Sequence, residues 1–197
     1  MDLRSDSETF PGFSHIYKMS ESGGSRAFRA TLEIDDDYPL FTGEVKRDMP
    51  IQAHWFMGAA RPVDIIWTGF AVPVLVSERV VQILREGKFT GWDVTPVELR
   101  DKAGAHLPGY YFLSVLGRCG PIDYSRSETI QERLPGGWFP RLKGLYFDPA
   151  TWDGSDIFLP EGTRFKFAVE PVKRALVRAK VKNIVFTRLD EIELDPP

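Results

Sequence analysis

The sequence matches itself faintly when it is shifted by 92 positions. Asp64-Ile65-Ile66-Trp67 then lies over Asp156-Ile157-Phe158-Leu159, and the apolar positions continue to coincide, without a gap, to Val97 over Leu189. Few residues are identical, but the spacing of apolar residues indicates the order of strands and helices. Two copies with so long a spacing do not form a solenoid. We therefore predict an α+β fold with mixed sheets, in which a strand–helix–strand unit occurs twice, at 64–99 and 156–191.

Local signals within each unit predict one helix between strands. In the first unit, Ser77 is suited to accept a hydrogen bond from a free amide of the first helical turn, and Gly87 is suited to end the helix. In the second unit, Pro171 fits a first turn, where no amide donor is needed. Further strands are expected around these helices, at 15–19, 29–34, 72–76, 92–99, 110–116, 164–169 and 183–189.

The repeat divides the chain into two parts. Residues 1–62 form a polar segment with short strand signals and no counterpart in the repeat, whereas 63–197 contain both copies. A hydrophobic content of 43% and a charged content of 27% are typical of soluble globular proteins. A chain of 197 residues can bury one sizeable core. We expect the two parts to fold together as one compact unit.

Composition argues against several classes of function. A net charge of −3 gives no general attraction to nucleic acids. The single cysteine, Cys119, excludes an internal disulfide and a cysteine-based zinc site. No apolar run approaches the roughly 18 residues of a membrane-spanning helix, and the first residues do not resemble a signal peptide. We expect a cytoplasmic protein without membrane contact.

The motif search finds no catalytic or metal site. His15, His54 and His106 lie far apart, and none has the i, i+4 partner of a helical metal site. Phosphate-binding glycine loops and the nucleophile elbow are absent from the sequence. Arg118 is placed to favour a thiolate at Cys119, but without an identifiable histidine partner we expect a buried, apolar cysteine. The sequence predicts no catalytic residue, no metal and no cofactor.

Basic residues on the second predicted helix form the one candidate surface for nucleic acids. Charges opposite a buried stripe are typical of any surface helix, so we do not expect nucleic-acid binding. The residues that would form this basic patch are Lys173, Arg174, Arg178, Lys180 and Lys182, with Arg164 and Lys166 nearby.

Two segments are candidates for binding a protein partner. Trp138 and Phe139 lie in 117–144, which its glycines and prolines mark as loop-rich. Such aromatic residues either fill the protein's own core or, together with Arg141, anchor a partner. The acidic run Asp35, Asp36, Asp37 lacks the glycine and distal glutamate of a calcium loop. We interpret this run as a solvated turn that complements a basic surface of the partner.

Several segments share a pattern with a known group. They are Pro73-Val74-Leu75-Val76-Ser77-Glu78, Phe89-Thr90-Gly91-Trp92, Asp156-Ile157-Phe158 and Asn183-Ile184-Val185-Phe186, together with 110–116. This pattern resembles small bacterial immunity proteins of polymorphic toxin systems, the immunity-protein-eleven group, over roughly 64–192. The resemblance implies a non-enzymatic protein that binds and neutralises a cognate toxin. The alternative is a small-molecule-binding protein or enzyme with a cleft between the two copies.

Overall fold

The computed structural model describes residues 10–22, 26–68 and 74–197, and in these ranges fourteen strands form three sheets. This architecture confirms the predicted α+β class with mixed sheets. The helices are α1 (Tyr38–Phe41), α2 (Glu78–Glu86) and α3 (Glu170–Arg178). The strands are β1 (Ile16–Ser20), β2 (Arg29–Leu32), β3 (Ile51–Met57), β4 (Ile65–Trp67), β5 (Val74–Ser77), β6 (Trp92–Arg100), β7 (His106–Val115), β8 (Gly117–Cys119), β9 (Glu128–Leu134), β10 (Gly137–Lys143), β11 (Ile157–Pro160), β12 (Lys166–Val169), β13 (Val185–Arg188) and β14 (Glu193–Leu194).

The six-stranded sheet has the order β2-β3-β6-β7-β5-β4. The β6–β7 hairpin lies at its centre, and its turn closes through a 2.9 Å hydrogen bond from Asp101 N to Ala105 O. Strand β2, in the segment 29–34 that was predicted as a strand, lies at one edge. Strand β3 pairs in parallel with β6. No strand was predicted at the position of β3.

The five-stranded sheet has the order β13-β1-β12-β11-β8, and the three-stranded sheet has the order β14-β10-β9. Strand β1, from the N-terminal part, pairs with both β12 and β13 of the second repeat unit. Buried side chains from the two larger sheets form a continuous hydrophobic cluster. At its aromatic end, the Phe167 ring centroid lies 5.7 Å from that of Phe158 and 6.5 Å from that of Phe147.

The two predicted units have the same local structure. In the first, β4 pairs antiparallel with β5 and leads into α2; in the second, β11 pairs with β12 and leads into α3. The strand registers correspond, since the pair Ile66–Leu75 becomes Phe158–Phe167 after a shift of 92. The bounds of α2 and α3 differ by the same 92 residues. Each helix is followed two residues later by a lysine with positive φ, Lys88 at 53° and Lys180 at 55°.

The units also contact each other reciprocally. The Asp64 carboxylate Oδ2 accepts a 2.9 Å hydrogen bond from the Lys182 amide, which follows α3. The Asp156 carboxylate Oδ2 accepts a 2.8 Å bond from the Thr90 amide, which follows α2. The two amide donors are 92 residues apart, and so are the two carboxylate acceptors. Each unit therefore supplies an equivalent carboxylate to an equivalent amide of the other unit. Such an exchange is typical of an isologous contact around a two-fold axis.

The helix termini differ in detail from the prediction. Ser77 precedes α2 as expected, but its hydroxyl donates to Asp64 Oδ1 at 3.2 Å instead of accepting a helix amide. Gly87 follows the helix but keeps a right-handed conformation, and the left-handed residue is Lys88. The predicted strand at 72–76 corresponds to β5; its first residues, Val72 and Pro73, lie outside the described residues.

The largest difference concerns 117–144, which was predicted as loop-rich and contains three strands, β8, β9 and β10. Strands β9 and β10 form a hairpin across a two-residue turn at Pro135 and Gly136. The prediction failed because the glycines and prolines lie in the turn and in an exposed strand, where proline is tolerated. Pro140 is such a residue: it lies in β10 opposite Gln131.

Candidate protein-binding site

The β9–β10 hairpin presents the largest group of exposed apolar side chains near one turn. Seven residue pairs join the two strands, from Gly137–Leu134 at the turn to Lys143–Glu128 at the base. Strand β14 pairs with Leu142 and Lys143 and thereby holds the base of β10. Pairing at the base leaves the turn end as a projecting ribbon, which we call the hairpin tip and define as residues 133–140.

Apolar side chains project from both faces of the hairpin tip. Trp138 is 65% exposed, Leu134 44% and Phe139 43%. Because side chains alternate along a strand, Trp138 lies on one face, and Phe139 lies on the other, beside Leu134. Trp138 therefore does not fill the protein's own core, which was the first of the two interpretations of its sequence position. Exposed apolar side chains grouped in this way are typical of interaction sites.

Arg141 lies on the same hairpin but has partners within the protein. Its Nη1 atom is 2.5 Å from Glu132 Oε2 on the neighbouring strand, and its Nε atom is 3.3 Å from Asp195 Oδ1 near the C-terminus. These ion pairs connect β10 to β9 and to the segment after β14. Arg141 is thus placed to support the hairpin, and its guanidinium is less available to a partner than the sequence suggested.

The acidic run lies in the turn before α1. Asp36 Oδ1 accepts a 3.1 Å hydrogen bond from the Tyr38 amide, and Asp37 Oδ1 lies 3.6 Å from Arg164 Nη1. Asp35 and Asp36 are exposed, whereas Asp37 is partly buried by its contacts. Among the described residues, no group of three or more acidic, histidine or cysteine side chains has the arrangement of a metal site.

Of the candidate reactive groups, His15 and His54 lie beside carboxylates, Cys119 is buried, and His106 is exposed at the start of β7. His15 Nδ1 lies 2.7 Å from Glu170 Oε2, and His54 Nδ1 lies 3.5 Å from Glu33 Oε1. Burial, with a smaller contribution from Asp153, raises the pKa of Cys119 to about 12, so this residue is a thiol at neutral pH. This agrees with the predicted buried cysteine.

Arg118 does not favour a thiolate at Cys119. Its guanidinium donates to the carbonyl oxygens of Val115, at 2.7 Å, and of Thr42. These bonds connect β8 to the end of β7 and to the residue after α1. The sequence placed the two residues side by side but did not indicate where the arginine side chain points.

Sequence reasoning also misplaced Lys166, which it grouped with the exposed basic residues of the second helix. The side chain is buried, with 3% of the residue exposed, and Nζ lies 5.0 Å from the Trp67 ring centroid and 5.3 Å from that of Phe41. Burial, with smaller contributions from the charges of Lys18 and Arg164, lowers its pKa to about 8. Its position between Phe165 and Phe167, in a strand followed by Ala168 and Val169, was the signal that could have indicated burial.

Comparison with known protein families finds a match for this chain. The model of the immunity protein family Imm11 matches residues 54–191. A search of curated proteins finds no match to the chain. No helix among the described residues is long and apolar enough to cross a membrane. The family match covers more than two thirds of the sequence, including both repeat units and the whole β9–β10 hairpin. The chain therefore belongs to the immunity protein family Imm11.

Proposed function

We propose that this protein is a non-catalytic immunity protein that acts in the cytoplasm, where it binds and neutralises a cognate toxin. The family match over 54–191 is the observation that carries the proposal. The buried thiol of Cys119 and the positions of His15 and His54 beside glutamate side chains agree with it, because an inhibitor needs a complementary surface and no reactive group.

The hairpin tip is the proposed centre of the toxin interface. Stable protein interfaces bury about 1,600 Å² in total, and a few aromatic side chains near the centre supply most of the binding energy. Trp138 and Phe139 have this character and lie on a projecting ribbon. Arg141 holds the ribbon from within through its ion pairs. The exposed carboxylates Asp35 and Asp36, with Asp37 beside them, would favour a toxin with a basic surface, mainly by increasing the association rate.

We expect the substitution Trp138→Ala to weaken toxin binding by about 2 kcal/mol or more, roughly 30-fold in Kd, because it removes a central aromatic contact. The melting temperature should change little, since the ring is mostly exposed. The measurement is calorimetric titration with the cognate toxin, which is to be sought among the products of the neighbouring genes, together with rescue of growth on co-expression.

Phe56→Ala is the matched control for Trp138→Ala. Phe56 is an exposed aromatic residue on β3, outside the hairpin, and its loss should leave toxin affinity unchanged. Equal toxin affinities of the Trp138 variant and the wild type would show that the hairpin tip is not part of the interface. Failure of the wild-type protein to bind the toxin or to rescue growth would contradict the immunity function itself.

We also propose that the two repeat units arose by internal duplication and pack around a pseudo-two-fold axis. The support is the common 92-residue shift of strand register, helix bounds and the lysines after the helices. The reciprocal bonds of Asp64 and Asp156 add to it. This pairing would fix the frame from which the hairpin projects.

Removing either carboxylate should weaken the same kind of contact, on one side or the other of this axis. We expect Asp64→Ala and Asp156→Ala each to lower the free energy of unfolding by about 1–3 kcal/mol, because an amide loses its acceptor. Hydrogen exchange should accelerate at the Lys182 amide in the first variant and at the Thr90 amide in the second. Glu86→Ala, an exposed carboxylate on α2, is the control and should cost less than about 0.5 kcal/mol. Exchange that is unchanged at both amides would contradict the reciprocal arrangement.

A further inference from the structure

Strand β9 forms one edge of the three-stranded sheet, and within the described residues no strand pairs with its outer side. It has seven residues, whereas the other strands at sheet edges, β2, β4, β8, β13 and β14, have two to four. Edge strands expose unpaired backbone groups, and proteins commonly protect them by keeping such strands very short. The outer side of β9, which we call the free edge, is therefore the longest unpaired edge in the described part of the chain.

The free edge also lacks the other common forms of protection, which are proline, lysine and bulges. Residues 128–134 contain neither proline nor lysine, and they pair with β10 without a break in register. Of the charged residues in β9, Glu132 is neutralised by Arg141 at 2.5 Å, and Glu128 and Arg133 lie near the two ends. The middle of the free edge is thus open to another strand.

Pro140 shows which backbone groups of β9 point to the free edge. In an antiparallel pair, opposite residues alternate between those that exchange two hydrogen bonds and those that exchange none. Pro140 lies opposite Gln131 and has no amide hydrogen, so this pair exchanges none. The N–H and C=O groups of Thr129, Gln131 and Arg133 therefore point away from β10, at intervals of about 7 Å. Within the described ranges, none of these groups has a hydrogen-bond partner.

The hairpin tip by itself is too small for a stable interface. It comprises the eight residues 133–140, whereas each partner in a standard interface contributes about 20–30 residues. A toxin that contacts Trp138 must therefore cover adjoining surface as well. The free edge continues directly from the hairpin tip through Arg133, and five of the seven residues of β9 are exposed.

We propose that the cognate toxin adds a strand to the free edge of β9, an inference that rests on the proposed immunity function. Backbone hydrogen bonds to Thr129, Gln131 and Arg133 supply affinity, and side chains on the two faces of the added strand supply specificity. Ile130 and Leu134 lie on one face of β9, so the toxin segment carries apolar side chains on that face. On the opposite face, Arg133 favours a carboxylate.

A second copy of this chain fits the free edge less well than a complementary toxin segment. When two β9 strands pair antiparallel over their whole length, Ile130 lies opposite Glu132, and Leu134 lies opposite Glu128. Each apolar side chain then faces a carboxylate, and no apolar pair forms across the contact. This mismatch favours a partner with a different sequence.

Amide hydrogen exchange of the full ¹⁵N-labelled chain, free and bound to the toxin that the calorimetric titration identifies, tests the free edge directly. In the free protein the amides of Thr129, Gln131 and Arg133 should exchange quickly, because they bond to water. In the complex we expect all three to slow by about 100-fold or more, since each gains a backbone acceptor. Thr129 and Arg133 are about 14 Å apart, so contact with the hairpin tip alone would protect Arg133 and leave Thr129 fast.

Gln131→Pro removes the central amide donor of the free edge, and its matched control Gln131→Ala removes only the side chain. Proline is tolerated where the amide of an edge strand faces solvent, so the hairpin should remain formed. Retained slow exchange of the Ile130 and Glu132 amides verifies this. We expect the proline variant to bind the toxin about tenfold or more weakly, and the alanine variant to bind within about twofold of the wild type.

The added strand and the immunity function fail in different ways. A wild-type protein that binds no toxin contradicts the immunity function and this inference with it. Toxin binding that leaves the Thr129 and Gln131 amides fast and is unaffected by Gln131→Pro overturns the added strand alone. Protection of the three outward amides that grows with the concentration of the free protein would show a second copy at the free edge and would also overturn it.

Discussion

Replacing Phe167 with alanine is expected to lower the free energy of unfolding by about 3–5 kcal/mol. The ring is fully buried on β12 and contacts the rings of Phe158, Phe147 and Phe165. Truncation removes its apolar contacts and leaves a cavity among rigid neighbours, which cannot collapse to fill it. Aromatic pairs add about 0.5–1.5 kcal/mol beyond the buried area. Strand β12 pairs with β1 and β11, so the damage is expected to reach the centre of the five-stranded sheet.

Urea unfolding followed by circular dichroism measures this loss. Phe139→Ala is the matched control, because the same side chain is removed from the exposed hairpin tip, where a change of less than about 0.5 kcal/mol is expected. The difference between the two variants reports burial alone. Similar losses for both would show that the burial of Phe167 adds no packing energy beyond that of the exposed ring.

Replacing Lys166 with methionine is expected to raise stability at pH 7 by up to about 3 kcal/mol and to remove a pH dependence. Its pKa falls from the ordinary lysine value of 10.5 to about 8 in the folded protein. One pKa unit corresponds to about 1.4 kcal/mol. Below pH 8 the folded state carries the full cost of the buried charge. Methionine keeps a similar volume without a charge, and such replacements of buried charges are often stabilising.

The direction of this pH dependence follows from the number of protons bound by the folded and unfolded states. Between pH 8 and 10.5 the unfolded chain keeps the Lys166 proton while the folded protein releases it, so this residue makes stability rise with pH in that window. Cys119 acts in the opposite direction above pH 9, because its folded pKa is raised to about 12 from 9.0. We therefore compare the wild type and the variant at each pH, which cancels the cysteine.

The measurement is chemical unfolding at pH 7, 8, 9 and 10 in chloride buffers free of phosphate and carboxylates. The stability advantage of Lys166→Met should be largest at pH 7 and should shrink as pH rises. Lys173→Met, on α3, is expected to follow the wild type across the series. An advantage that stays constant with pH would show that the pKa of Lys166 is not lowered in the folded protein, and a large loss at pH 7 would show that its contacts outweigh the cost of burial.

Local pattern predicted the repeat units well. Both α2 and α3 were expected where they occur, and the strands before them were expected from the same apolar spacing. Amphipathic helices with clear ends can be predicted because the residues that begin and end them lie within a few positions of the helix. The strand at 29–34 could be predicted for a similar reason, since the acidic run and Pro39 end it locally.

The β9–β10 hairpin, which carries the candidate site, was not predicted as a pair of strands. Trp138 and Phe139 were identified by residue type, but β9 and β10 were missed because most of their side chains are exposed on both faces. A strand with no buried face lacks the alternation of apolar and polar residues by which strands are recognised. The exposure of Trp138 and the ion pairs of Arg141 followed only from the folded hairpin.

The sequence alone thus determined the order of the elements in the two units, their 92-residue spacing and the family resemblance, because each depends on neighbours along the chain. Only the tertiary structure decided that Lys166 is buried beside Trp67 and that Asp64 and Asp156 exchange partners between the units. These contacts join residues that are 66 to 118 positions apart. Apolar spacing indicates which face of an element is buried, but it does not specify which distant residues meet there.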